Sequence, residues 1–338
     1  MELLFRAIAE DEPGEKWQDL FAEQWPAYRQ WFLSEGIEER ATYLEGLKKL
    51  KRYMPELLPT YEKLCELSGG LDLEARFLNL YRPPAYLTGC SQVVWPGAEP
   101  MLVRNYDYSP ALCEGLILRS RWNGRAVLAM VDCLWGVLDG INDAGLAVSL
   151  TFGGRKAVGD GFGIPVVLRY ILEFCDTAEE AGEVMRRVPV HMAYNVTAVD
   201  ARGRFITALA SPDRETKIRE IPIAANHQTY IDWHTYARAT ATLERERFLF
   251  FRLREEGMTP ERLISCFFRR PLYTTAYGRG FGTLYTSVYW PQRRTARFLW
   301  PDGAWDLSLD NFEEGSRRQA FLPESDLAAP DVEGEPGA

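Results

Sequence analysis

A single cysteine offers the most direct chemistry in this sequence. Gly89-Cys90-Ser91 is followed, fourteen residues after the cysteine, by Arg104-Asn105-Tyr106-Asp107. Side chains alternate along a strand, so Cys90 can face a neighbouring strand that carries Arg104. A guanidinium beside a thiol favours the thiolate, the nucleophilic form. Asp107 can anchor an amine or the arginine. Alone, these residues decide little. Most cysteines are buried small hydrophobes, and an Arg/Asp pair on a hairpin is usually a surface ion pair.

Other chemistry is scarce. The three histidines, His191, His227 and His234, have no close metal-ligand spacing, and none of the six cysteines forms a C-x-x-C pair. No metal and no cofactor is expected. Two glycine-rich stretches, Gly159-Asp-Gly-Phe-Gly163 and Gly278-Arg-Gly-Phe-Gly282, lack the strand–turn–helix context and the Gly-Lys-Ser/Thr of phosphate-binding loops. They read as loops, with a position over a site as the functional alternative.

The elements that must position Cys90 begin with helices. Trp17, Phe21, Trp25, Tyr28 and Phe32 recur at helical spacing, and the reading stays helical to about residue 80. From residue 85 strand formers and turn signals take over. Tyr86 to Trp95 and Met101 to Tyr108 form a hairpin across Pro96-Gly97. Leu116 to Arg121 and Ala126 to Val131 pair around Asn123-Gly124, and Gly136 to Ile141 pairs with Leu146 to Phe152. Helices are predicted over Pro165 to Phe174 and over Thr177 to Arg187, with Thr177 as cap. A hairpin follows around Asp200-Ala-Arg-Gly203, then a long helix over 236–256, a short one over 260–268, and strands over Thr283 to Tyr289 and Thr295 to Leu299. The order suggests an α+β domain of stacked antiparallel sheets with helices outside.

With 338 residues, 46% hydrophobic and 26% charged, the chain can bury a sizeable core. A formal net charge of -9 argues against nucleic acid as a partner. No apolar run is long enough to span a membrane, and the N-terminus lacks the pattern of a secretion signal. A cytoplasmic location with reduced thiols is expected.

Further stretches agree in order with Gly-Cys-Ser and Arg-Asn-Tyr-Asp-Tyr. These are Asp139-Gly-Ile-Asn-Asp-Ala-Gly-Leu-Ala-Val-Ser-Leu150, Tyr194-Asn-Val-Thr-Ala-Val-Asp-Ala-Arg-Gly203, Ala225-Asn226-His227 and Thr283-Leu-Tyr-Thr-Ser-Val-Tyr289. Together they resemble the cysteine N-terminal-nucleophile (Ntn) hydrolases, most nearly the penicillin acyltransferase family (acyl-CoA:6-aminopenicillanic acid acyltransferase and its relatives). Choloylglycine hydrolase, penicillin V acylase and acid ceramidase resemble it more distantly. The resemblance covers roughly residues 50–300.

The resemblance implies a four-layer αββα sandwich made as a precursor that cuts itself between Gly89 and Cys90. Residues 1–89 would be a helical pro-segment packed on the core, 90–312 the Ntn-hydrolase domain and 313–338 an acidic, partly disordered tail. The new α-amino group of Cys90, with an ordinary pKa of about 7.7–8.0, is a base usable near neutrality. By resemblance Cys90 is the nucleophile, Arg104 holds the thiolate, Asp107 accepts from the Cys90 amine and Asn226 donates to the oxyanion. Thr151 stands where choloylglycine hydrolases carry asparagine, which leaves its backbone N–H as the contact. Either Arg245 or Arg247 matches a late-helix arginine. Asn195 and His227 are pocket candidates that serve equally well as hydrogen-bonded structural residues.

The implied activity is cleavage or transfer at a C–N amide or acyl thioester bond of a small apolar-acyl substrate, acyl-CoA among the candidates, with an oligomer possible. The alternative is a non-catalytic or unprocessed binding protein on the same fold. A papain-type site does not fit, because Cys90 leads into a strand and not a helix.

Overall fold

The computed structural model describes residues 1–86, 88–279 and 281–322. The chain opens with a correction. Residues expected to be helical form strand β1 (Glu2–Glu10), with Phe5 and Ala7 fully buried. Burial at every second residue is strand periodicity, and the sheet rewards it. The helical lead then follows as α1 (Glu15–Phe32), α2 (Tyr43–Tyr53), α3 (Leu58–Leu67) and α4 (Asp72–Asn79). The aromatic stripe of α1 buries Trp17, Phe21 and Phe32.

The β part contains β2 (Gly89–Trp95), β3 (Met101–Tyr108), β4 (Leu116–Ser120), β5 (Val127–Asp132), β6 (Gly136–Asn142) and β7 (Ala147–Phe152). Two helices follow, α5 (Ile164–Phe174) and α6 (Ala178–Arg187), the second opened by a capping box between Thr177 and Glu180. Next come β8 (Tyr194–Val199), β9 (Phe205–Ser211), β10 (Arg214–Arg219) and β11 (Ile223–Ala224). Then come α7 (His234–Ala239), α8 (Thr242–Arg254) and α9 (Pro260–Cys266). The last strands are β12 (Gly282–Trp290), β13 (Thr295–Trp300), β14 (Gly303–Ser308) and β15 (Gly315–Ala320).

Among the described residues the strands form two sheets. One has nine strands in the order β10-β9-β8-β7-β6-β5-β4-β1-β15; the other has six in the order β11-β2-β3-β12-β13-β14. Only β1 with β4 is parallel. The sheets face each other where β7 meets β2 and β3. Helices α5 and α6 cover the larger sheet, and α8 covers β2 and β11 on the far side of the smaller one. A second core of Val93, Val103, Leu249, Leu263, Phe267 and Val288 seals that far side. The expected αββα layering is therefore present.

Three expectations need correction. The helix over 236–256 is broken at Ala241, whose φ of 48 is left-handed. No glycine or proline marks the break; Thr242 is buried there and its hydroxyl meets His227 Nδ1 at 2.9 Å. The acidic tail is ordered at its start, since β15 pairs with β1 from Gly315 to Ala320. The rest of that tail lies outside the described residues. Of the six cysteines, all free, Cys90, Cys133 and Cys175 are buried, whereas Cys65, Cys113 and Cys266 are half-buried. Among the described residues no helix is long and apolar enough to cross a membrane.

Candidate active site

Cys90 lies at the start of β2, pairing with Tyr106 of β3, while Arg104 pairs with Gln92 two positions on. Cys90 and Arg104 are therefore diagonal neighbours on one sheet face, as alternation requires. The Arg104 Nη2 donates to Cys90 Sγ at 3.2 Å. Cys90 is fully buried, and every one of its polar atoms has a partner. Its N–H donates to Asn226 Oδ1 at 3.0 Å, and its carbonyl accepts from Arg245 Nη1 at 2.7 Å. Thr88 Oγ1 stands 4.0 Å from the sulfur.

Arg104 bridges the two sheets. Its Nε donates to Leu150 O on β7 at 3.0 Å, and its Nη1 reaches Tyr285 OH at 3.1 Å and forms a fully buried ion pair with Asp139 of β6. Asp139 in turn accepts from Tyr285 OH at 2.8 Å and Tyr289 OH at 2.5 Å. A buried charge persists only when paired and hydrogen-bonded, and this network supplies both. The quoted hairpin motif now has a physical basis. Asp139 reaches the smaller sheet. Asn142 donates to Leu172 O and Cys175 O at 3.0 and 2.8 Å, ending α5, and accepts from Leu146 N at 2.9 Å in the turn.

Burial outweighs Arg104 in setting the thiol. Desolvation pushes the Cys90 pKa up; the Arg104 charge opposes it, Asp107 adds to it, and the Arg104 and Thr88 hydrogen bonds oppose it. Arg104 thus acts in the expected direction, toward the thiolate, but in the intact chain burial outweighs it. Burial also raises the Asp107 carboxyl, against the pull of Arg245, Thr283 and Arg104. Asp107 accepts from Thr283 Oγ1 at 2.7 Å and lies 3.6 Å from Arg245 Nη1. Among the described residues it makes no hydrogen bond to the Cys90 amide; it sits across the sheet from Gly89.

Of the two candidate late-helix arginines, Arg245 enters the site. It is 2% exposed and also donates to Ser91 Oγ at 3.0 Å and Asn226 Oδ1 at 2.7 Å. Arg247 is exposed on α8, two residues and about 200° around the helix, so it is not a site residue. Asn226 is oriented unambiguously, because its Oδ1 receives two obligate donors. Its Nδ2 donates to Phe152 O at 3.1 Å, which engages one of two amide hydrogens. Gly154 permits this approach: at φ 69, an added β-carbon would lie 2.3 Å from Asn226 O.

Thr151 and Asn195 support the segment that carries Asn226. Thr151 Oγ1 donates to Ala225 O at 2.7 Å, and Asn195 Nδ2 reaches Thr151 Oγ1, Ala225 O and His227 O at 3.0, 2.9 and 2.9 Å. His227 faces Thr242 and, at 3.3 Å, Glu246. These three position the site without touching Cys90. At Gly89 an added β-carbon would sit 2.1 Å from Phe281 Cζ, so the second glycine-rich stretch packs against the bond before Cys90. The first packs elsewhere, where Phe162 is buried against Tyr81 with rings 5.1 Å apart.

The sequence reading omitted Asp139, Tyr285, Tyr289 and Thr283 as site residues. All four lie in stretches it quoted. The usable signal was Arg104 in an apolar strand, which demands a buried anion.

Residues 95–305 match the family described as acyl-coenzyme A:6-aminopenicillanic acid acyl-transferase. No curated protein sequence matches the chain. Penicillin V acylase from Agrobacterium tumefaciens is similar at 14% identity and TM-score 0.47, over 65% of this chain and 86% of that one. Conjugated bile acid hydrolase from Clostridium perfringens is similar at 12% identity and TM-score 0.44, over 70% of this chain and 98% of that one. The Caenorhabditis elegans ortholog of N-acylethanolamine-hydrolyzing acid amidase is similar at 17% identity and TM-score 0.44, over 70% and 100% of the two chains.

Proposed function

Since the chain belongs to the acyl-coenzyme A:6-aminopenicillanic acid acyl-transferase family, and so to the Ntn-type amide hydrolases and acyltransferases, we propose that it cuts itself at Gly89–Cys90 and then acts through an acyl-Cys90 intermediate. The observation that carries this is the threefold grip on one residue. Asn226 holds the Cys90 nitrogen, Arg104 the sulfur and Arg245 the carbonyl. Any buried residue needs partners for its backbone N–H and carbonyl, but a merely structural cysteine does not need an arginine on its sulfur.

In the first step Sγ bonds to the Gly89 carbonyl carbon and the Gly89–Cys90 C–N bond breaks. The thiol proton ends on the Cys90 nitrogen. Water then hydrolyses the thioester, releasing the Gly89 carboxylate and restoring the thiol. The freed amine stays on Asn226 Oδ1, with Asp107 across the strand pair, and takes the thiol proton in each later cycle. The thiolate attacks the substrate acyl carbon, and the amine or thiol leaving group departs with that proton. Water or an acceptor amine takes the acyl group from Cys90. The second hydrogen of Asn226 Nδ2 meets the oxyanion.

The substrate is a small acyl compound, an amide or an acyl thioester such as acyl-CoA. Six free thiols fit work in a reducing cytoplasm. Denaturing mass spectrometry tests the first step: fragments 1–89 and 90–338 are expected from the unaltered chain and only full-length protein from Cys90→Ala. Full-length protein alone after long incubation of the unaltered chain would refute self-cleavage. Trapping a labelled acyl group on the Cys90 peptide tests the second.

A further inference from the structure

A cavity of about 130 Å³ opens where the end of β3 at Tyr108 meets the chain just ahead of β2 at Tyr86, and the chemistry above makes no use of it. Trp31, Tyr86 and Tyr108 line it, and its mouth carries Leu112, 62% exposed. Tyr108 stands two residues beyond Tyr106, the register partner of Cys90, on the same strand face and so about 7 Å further along. The Tyr106 and Tyr108 ring centroids are 5.7 Å apart. Tyr86 precedes Cys90 by four residues.

Two carboxylates complete the lining, Glu114 and the half-buried Asp132. Glu114 is 8% exposed, and its Oε2 is buried without a hydrogen-bond partner. Its Oε1 accepts from Leu134 N at 2.9 Å and from Tyr28 OH, whose oxygen is also 3.2 Å from Asp132 Oδ1. Tyr28 has one hydrogen for two acceptors. Among the described residues neither carboxylate is in an ion pair. The cations that influence them are committed elsewhere, Arg6 to Glu23 at 2.8 Å and Arg104 to Asp139.

The charge of the pair is therefore uncompensated. Burial and the repulsion from Asp132 push Glu114 up to about 7, and burial pushes Asp132 up to about 6. Cys113, Cys133 and Tyr108 also face the cluster but supply no positive charge. Aromatic faces attract a cation, and a carboxylate bonds an ammonium strongly when water is excluded.

We propose that this cavity is a subsite for a positively charged nitrogen, so that the substrate is an amide or thioester bearing an ammonium group on an apolar stem. The proposal rests on Cys90 being the nucleophile. The apolar mouth at Leu112 takes the stem, the rings flank the cation, and Glu114 and Asp132 pair with it.

The test is calorimetry on the full Cys90→Ala chain, which removes turnover from the measurement. Phenethylamine is the probe and 2-phenylethanol its neutral counterpart. Phenethylamine should bind at least tenfold tighter. At pH 7 its binding should release protons, seen as a heat that changes with the ionisation enthalpy of the buffer. Glu114→Gln should weaken it tenfold or more, and Tyr108→Leu severalfold. Leu112→Lys, a surface change that leaves the core intact, should weaken it by charge repulsion at the mouth. Equal affinity for the two probes, no binding at ~1 mM phenethylamine, or full affinity in Leu112→Lys would overturn the subsite. Failure of self-cleavage or acyl trapping in the unaltered chain would overturn the nucleophile instead, and leaves the calorimetry untouched.

Discussion

Replacing Arg104 separates two duties, the proposed one of favouring the Cys90 thiolate and the observed one of pairing with Asp139. Arg104→Met removes the donor 3.2 Å from Cys90 Sγ. Hydrogen bonds to charged groups contribute about 1.5–3 kcal/mol, and one pKa unit corresponds to about 1.36 kcal/mol, so the thiol pKa should rise by ~1–2 units. The same change strands Asp139, fully buried, on two tyrosine hydroxyls. Breaking a buried ion pair from one side costs about 3–5 kcal/mol. Asp139→Asn in the same chain removes the stranded charge and should restore much of that stability, but not the thiol pKa. The assay is iodoacetamide labelling of the Cys90 peptide against pH, read by mass spectrometry on processed protein, with thermal unfolding in parallel. The pH midpoint is the quantity to compare, because site access changes the rate at every pH alike. A midpoint in the double variant within ~0.3 unit of the parent, roughly 0.4 kcal/mol, would refute the role given to Arg104.

Other outcomes follow from the same contacts. Asn226→Ala should lower kcat about a hundredfold or more with little change in KM, and Asn226→Asp at least as much, in steady-state kinetics on processed protein; a rise in KM alone would make Asn226 a binding residue. After self-cleavage, fragment 1–89 should co-elute with the rest in size-exclusion chromatography until denaturant is added, because β1 lies between β4 and β15 with Phe5 and Ala7 fully buried; separate elution in native buffer contradicts this. Glu114 is raised from an ordinary 4.5 to about 7, so the folded state holds a proton that the unfolded chain has released. The Glu114 contribution to stability is therefore full below pH 4.5 and is lost as pH rises to about 7, by about 3 kcal/mol at most. Glu114→Gln should flatten that fall in Tm measured against pH, and an unchanged slope would show that Glu114 is not its source.

Much of the site was legible as sequence because its parts are local. Alternation put Cys90 and Arg104 within reach across one hairpin, and Ala225-Asn226-His227 was recognisable as a motif. What periodicity misread was β1, where Glu2, Arg6 and Glu10 also fit a helical spacing. The strand wins because Phe5 and Ala7 fill a gap in a sheet assembled from residues more than a hundred positions away. The helix expected over 236–256 is a similar case. Ala241 carries no breaking signal, yet the turn there sets Arg245 inward and leaves Arg247 exposed.

The sequence by itself determined the order of the layers and the near neighbours of Cys90 on its hairpin, since both depend on residue type and short spacing. Tertiary structure decided which distant groups carry the charge. Asp139 pairs with Arg104 between the sheets, Arg245 grips the Cys90 carbonyl, and Glu114 and Asp132 share a cavity without a counter-ion. Spacing along the chain says nothing about desolvation, and desolvation sets whether a thiol, a carboxyl or an arginine is charged where it stands.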